Sequence, residues 1–198
     1  MEKYLFAPLL VSKLAQDDFY RRMFSLLLTA VAVLITISAV IVFFFGWKEI
    51  FDMSSQAMIG GIVFQLALVL ATYQAVHLTL MRAVEVRQES RQAAPITVPR
   101  VLVRLAGEVF GLTAALLGLG GGVLVWLAGR ESRVLLDQVD TLLPFLKAGP
   151  ATFLGGATLI GKGIGYGILA LMLGYLFAEL LKLLPNSPAG GREASDNI

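Results

Sequence analysis

Residues 155–184 read GGATLIGKGIGYGILALMLGYLFAELLKLL. The stretch is apolar, dense in glycine, and carries Lys162 near its start. An α-helix rises about 1.5 Å per residue, so roughly 20 apolar residues cross the ~30 Å hydrocarbon core of a bilayer. Glycine weakens a helix in water, but in lipid small residues let two helix backbones come close and gain van der Waals contact. The stretch therefore reads as a transmembrane helix with a packing face. At 100° per residue, Gly163, Gly167, Ala170, Gly174 and Ala178 fall on one side of it.

The same signature recurs at 101–129. There Gly107, Gly111, Ala114, Gly118 and Gly122 share a side. The pairs Gly107/Gly111 and Gly118/Gly122 have small-xxx-small spacing. These two stripes are the candidate helix-packing interface, either with each other or with another chain.

Two more runs complete the set. Residues 23–46 and 57–81 contain no Asp, Glu, Lys or Arg. The first ends in Phe43, Phe44, Phe45 and Trp47, an aromatic anchor for a membrane interface. It is too long for a signal peptide and no small-residue cleavage site follows it, so it reads as a retained helix. In the second, Gly61, Gln65, Thr72 and Thr79 lie within roughly 40° of one another. A glutamine amide in lipid needs a partner, so this polar stripe is expected to face other helices. Tyr73 and the sole histidine, His77, lie four apart on a different face, and His77 is expected to be a hydrogen-bonded structural residue.

The fold class that follows is an all-α integral membrane protein. It has four transmembrane helices, at about 23–46, 57–81, 101–129 and 151–184, plus an interfacial amphipathic helix between the third and fourth. That extra helix is read from ESRVLLDQVDTLLPFLK at 131–147. Val134, Leu135, Val139, Leu142, Leu143 and Leu146 recur at helical spacing opposite Asp137, Asp140 and Lys147, and Pro144 bends its end. The region 151–184 is longer than one simple span, which predicts either a re-entry of its first ten residues or a strong tilt. The third span is also long, and Gly120, Gly121 and Gly122 are a place for it to kink.

Around the four-helix domain of residues 23–184 lie shorter pieces. Residues 1–22 hold an apolar patch from Tyr4 to Val11, broken by Pro8 and too short to span. It is expected to rest at the membrane surface or on a partner; the alternative is a distinct binding arm. The mixed charges of 82–92 continue the second helix beyond the membrane, and AAPITVP, with Pro95 and Pro99, turns the chain back. Residues 185–198 read as a disordered tail.

Composition agrees with the class. The chain is 57% hydrophobic and 15% charged, with mean hydropathy +0.78, against about 25% charged in soluble domains. A net charge of +2 gives no argument for nucleic acid. The absence of cysteine excludes disulfides, thiolate metal sites and cysteine nucleophiles. With four spans, Lys and Arg at 3, 13, 21, 22, 82, 87, 91, 100, 182 and 192 share one side, against 48, 130, 133 and 147 on the other. The positive-inside rule then puts both termini in the cytoplasm of a bacterial-type plasma membrane.

Candidate chemistry is sparse. Arg104 and Glu108 stand at i, i+4 where the third span begins, a local ion pair or a contact to lipid headgroups or a partner. Lys162 lies near the opposite membrane surface, roughly 20–25 Å from Glu108 in depth, so the two are not expected to meet. That leaves no charge pathway across the bilayer and argues against a proton relay. Lys162 is expected to snorkel outward or to meet a partner's acid. The run Gly163-Ile-Gly-Tyr-Gly167 lacks the threonine of a potassium filter, and Gly161-Lys162-Gly163 lacks the Ser or Thr of a phosphate loop. With one histidine there is no nucleophile–His set and no bis-histidine haem within the chain, which leaves only a haem shared between chains as a minor alternative. No cofactor, metal site or catalytic residue is expected. The expected function is a non-catalytic small subunit that packs through glycine-rich helices into a larger membrane assembly, with other membrane proteins, its own copies and lipids as partners. The alternatives are a homo-oligomeric channel or small transporter, and a lipid-interacting membrane protein.

Overall fold

A computed structural model of the chain describes residues 17–88, 97–140, 143, 144, 147 and 149–183. The patch at 4–11, Pro95, the residues Leu142 and Leu146 of the expected amphipathic helix, and the tail at 185–198 lie outside the described residues. Four long helices carry the fold: α1, Asp17–Phe51; α2, Ser55–Gln88; α3, Thr97–Ala128; and α5, Phe153–Leu183. A short helix, α4, Ser132–Asp140, follows a single 3₁₀ turn at Gly129–Glu131. No strand occurs among the described residues. All four long helices are long and apolar enough to cross a membrane, which fits a multi-pass membrane protein. The shortest has 31 residues, or roughly 46 Å, so the helices tilt or project beyond a ~30 Å core.

Their hydroxyls show how an apolar setting is satisfied. Thr29, Thr36, Thr72, Thr79 and Thr158 each donate to the carbonyl four residues back, at 2.7–2.9 Å. A hydroxyl turned onto its own helix needs no outside partner.

The long helices pack in chain order. α1 lies on α2, α2 on α3, and α3 on α5, the last pair being the most extensive. The arrangement is thus a row whose outer members are α1 and α5. Two buried clusters hold it. At one end Leu28 of α1 joins Ala83 and Val86 of α2 and Val101 and Leu105 of α3. At the other, Ile50, Phe64, Leu124 and Leu159 meet Leu135, Leu136 and Val139 of α4.

The sequence reading placed Pro99 in the turn before the third span. It stands instead in the first turn of α3, where its missing N–H costs no intrahelical bond. α3 runs without interruption through Gly120, Gly121 and Gly122, and α5 runs unbroken from Phe153, so residues 153–160 are its first turns and not a separate re-entry.

α4 packs back onto the long helices. After Gly129, at φ +53°, the chain doubles back along α3. Leu136 comes to within 3.1 Å of where a Cβ on Gly121 would stand, and Leu135 to within 3.5 Å of the equivalent point on Gly46. Gly121 precedes the end of α3 by two turns, so α4 is tucked between α1 and α3. The cause lies in its pattern: Leu135, Leu136 and Val139 form one apolar stripe, and two glycines leave room for it, while Arg133, Val134 and Asp137 stay exposed. Ser132 Oγ donates to Gly129 O at 2.6 Å and fixes the reversal. The α1–α2 turn is tied to the same place, since Ser54 N donates to Glu131 Oε2 at 3.0 Å.

Candidate functional site

The only buried acid among the described residues is Glu108, 6% exposed. α3 sets it between α2 and α5, and both neighbours send it donors. Arg82, on α2, reaches Oε1 through Nη2 at 2.6 Å and Oε2 through Nε at 3.2 Å. Arg104, one turn before Glu108 on α3, donates from Nε to Oε1 at 3.0 Å. Tyr175, on α5, donates its hydroxyl to Oε1 at 2.7 Å. Arg104 Nη2 in turn donates to the Tyr175 oxygen at 3.0 Å, and its guanidinium lies 4.6 Å above the Tyr175 ring. Arg82 also pairs with Glu85 one turn further along α2.

Two arginines thus face two glutamates and the group is balanced in charge. An ionised carboxylate in a low-dielectric setting is tolerated when paired and fully bonded. Glu108 has both oxygens engaged, so it offers no free base. Its chemistry is that of a three-helix clamp.

The sequence singled out Arg104 and Glu108 but missed Arg82 and Tyr175. A signal existed. Gly107 meets Gly174: a Cβ on either would lie 2.9 Å from the other's Cα. The residues that follow, Glu108 and Tyr175, are therefore set side by side. Glu179, also on α5, pairs instead with Lys182 on its own helix.

Gly111, Gly118 and Gly122 of α3 lie against α5 as well, whereas Gly120 faces Ala67 of α2 and Gly121 faces Leu136 of α4. A Cβ on Gly111 would stand 2.7 Å from Gly167 O, and one on Gly118 would stand 2.7 Å from Gly163 Cα. One on Gly122 would collide with Ile160. The two stripes therefore face each other within this chain and are not surplus to it. Gly161 and Gly165 differ, having nothing within 4 Å of a Cβ position. They line a shallow depression on the outer face of α5 with Thr158, Lys162, Tyr166 and Leu169. Lys162 is exposed there and makes no ion pair among the described residues.

Of the polar stripe on α2, Gln65 and Thr79 are buried and Thr72 is half-buried. Gln65 lies against Gly46 of α1, where its amide nitrogen occupies the space a Cβ would need, and its Oε1 is buried with no partner. His77 is exposed and stacks on Tyr73, ring centroids 5.9 Å apart and nearly parallel. Among the described residues the expected hydrogen bond to His77 is not formed, because this face of α2 is exposed. No cluster of three or more His, Cys, Asp or Glu occurs among the described residues.

No protein-family model matches the chain, and neither a curated protein nor a solved structure matches it.

Proposed function

We propose that the protein is a non-catalytic subunit of a larger membrane assembly, docked through the outer face of α5. The observation that carries this reading is the contrast among the glycines of that helix. Gly163, Gly167 and Gly174 are consumed by α3, while Gly161 and Gly165 keep small-xxx-small spacing over open space. A helix backbone in lipid gains contact by approaching such a face. Lys162 lies beside it, and a cation on a membrane helix is costly unless it reaches the surface or an acid. A partner helix carrying a carboxylate at that depth satisfies both demands. In this reading the chain is a plasma-membrane protein of bacterial type with both termini in the cytoplasm, as the distribution of Lys and Arg indicates. α4 then enters the membrane from the outer side and returns to it.

Glu108 supports a structural role over a catalytic one, since its donors fill it from three helices. A channel or transporter made of several copies is the competing reading. The test is the size of the native assembly in mild detergent, followed by capture of partners after crosslinking in native membranes. Gly165→Leu is expected to release the chain as a monomer with its fold intact, because the new side chain meets nothing of its own. A wild-type chain that runs alone under gentle extraction and crosslinks to no other protein would overturn the proposal. Ion or solute flux through vesicles holding this chain alone would favour the channel.

A further inference from the structure

The second inference concerns the back of α2. Its buried residues, among them Leu68, Ala71, Ala75 and Thr79, lie on the side packed by α1 and α3. On the opposite side Leu66, Leu70, Tyr73, His77, Leu80 and Val84 are all exposed. They follow one another at spacings of four and three, and exposed Ile59 lies seven residues before Leu66. This is the heptad spacing by which two parallel helices interlock. From Ile59 to Val84 the seam runs roughly 38 Å, enough to cross a ~30 Å hydrocarbon core. No charged residue stands in it.

An apolar stripe alone serves equally well against lipid. Two residues of this one do not. Tyr73 and His77 stack on each other, and no hydrogen bond to either side chain is formed among the described residues. Counted from the middle of the uncharged run 57–81, they lie about 6 and 12 Å away, within the ~15 Å half-thickness of the core. Polar groups at that depth lose water and gain nothing from acyl chains. Thr72 and Thr79 escape by bonding to their own helix. Tyr73, 62% exposed, holds its hydroxyl away from the helix at the far end of its ring.

What the two side chains lack decides the occupant. The hydroxyl is a donor and a nitrogen of the neutral imidazole is an acceptor, in adjacent layers of the seam. A second copy crosses the membrane in the same orientation. A two-fold axis along the membrane normal then sets Tyr73 of each copy against His77 of the other. Both hydroxyls donate, both rings accept, and no third group is needed. An unlike helix would have to bring a matching donor and acceptor to the same depth. Two identical faces without charge also do not repel each other. We propose that the chain forms a two-fold pair through this seam of α2, with reciprocal Tyr73–His77 hydrogen bonds between the copies.

The test uses the full chain in phospholipid vesicles. Interhelical hydrogen bonds of this kind are individually weak, so the pair parts on dilution into detergent, and sizes measured there report on the α5 face. In vesicles, Leu66→Cys and Leu80→Cys are each expected to give a disulfide-linked dimer on oxidation with copper phenanthroline. The yield is expected to be at least fivefold above that of Leu34→Cys on α1 or Leu176→Cys on α5, which replace equally exposed residues. Energy transfer between dye-labelled chains, diluted stepwise with lipid, gives the dissociation constant. Tyr73→Phe and His77→Leu are each expected to raise it about tenfold, the effect of two such bonds lost per pair. The double variant is expected to raise it no further, because each bond needs both residues. Equal disulfide yields at all four positions would overturn the proposal, as would a dissociation constant that either variant leaves unmoved. So would crosslinks from Leu66→Cys to an unlike polypeptide in native membranes in place of a second copy. Gly165→Leu is expected to leave the yields of Leu66→Cys and Leu80→Cys unchanged, so the α5 docking face and this seam fail or stand separately.

Discussion

Tyr175 gives its hydroxyl proton to Glu108 at 2.7 Å while its ring carries the Arg104 guanidinium 4.6 Å above it. One side chain from α5 thus completes the acid on α3 and shields one of that acid's two cations.

Removing the parts of this group separately should rank them. Tyr175→Phe keeps the ring and loses one bond to a charged acceptor, a cost of about 1.5–3 kcal/mol. Glu108→Gln leaves two arginines without their acid, and breaking a buried pair from one side costs about 3–5 kcal/mol. Thermal unfolding in detergent should therefore order the variants as wild type, Tyr175→Phe, Glu108→Gln. The reverse order would mean that the ion pairs contribute little.

Glycines on α5 should respond to alanine with opposite signs. Gly163→Ala forces a Cβ to 2.7 Å from Gly118 Cα, and overpacking of this kind costs about 1–3 kcal/mol. Gly161→Ala meets open space, and replacing glycine in a helix by alanine stabilises it by up to about 1 kcal/mol. The unfolding midpoint of the isolated chain is expected to fall in the first case and to hold or rise in the second.

Gln65→Leu is expected to be neutral or stabilising. The amide is 3% exposed and its Oε1 has no donor, so its burial carries a desolvation cost that a leucine of similar size avoids. A loss of more than about 1 kcal/mol in the unfolding free energy would show that the amide has a partner that repays its burial.

The position of α4 can be read by labelling. Because the chain has no cysteine, single cysteines report without background. Arg133→Cys, exposed, should react with a membrane-impermeant thiol reagent applied from outside. Val139→Cys, buried against α1 and α3, should not react until the protein is unfolded. Equal labelling at both would place α4 flat on the surface.

Much of the fold was legible because hydropathy and length carry it directly. The four uncharged or nearly uncharged runs became four long helices, each long and apolar enough to cross a membrane, and a backbone in lipid is satisfied only in a helix or a closed barrel. Periodicity told which side of α4 is apolar but not what that side would face, since an apolar stripe serves equally against lipid or against Gly46 and Gly121. The same gap hid Arg82 and Tyr175. Spacing paired Arg104 with Glu108, and depth counting separated Glu108 from Lys162, but which other side chains converge on Glu108 depends on the register of α3 against α5. That register is set by glycine contacts, and glycines look alike in a sequence. His77 was misread for a related cause: spacing put it beside Tyr73, and nothing in the spacing said that this face would remain uncovered.

The order of the helices in the row bears on how the chain is made. α2 and α3 each find a neighbour already in place as they emerge, because that neighbour is the long helix synthesised just before. α5 follows the doubled-back α4, and until it is made its partner α3 keeps Gly107, Gly111 and Gly118 bare. Until then Glu108 lacks Tyr175 and the clamp has only its arginines. α5 therefore completes what α3 leaves open, and a chain cut before it would keep an uncovered glycine face and a charge cluster without Tyr175.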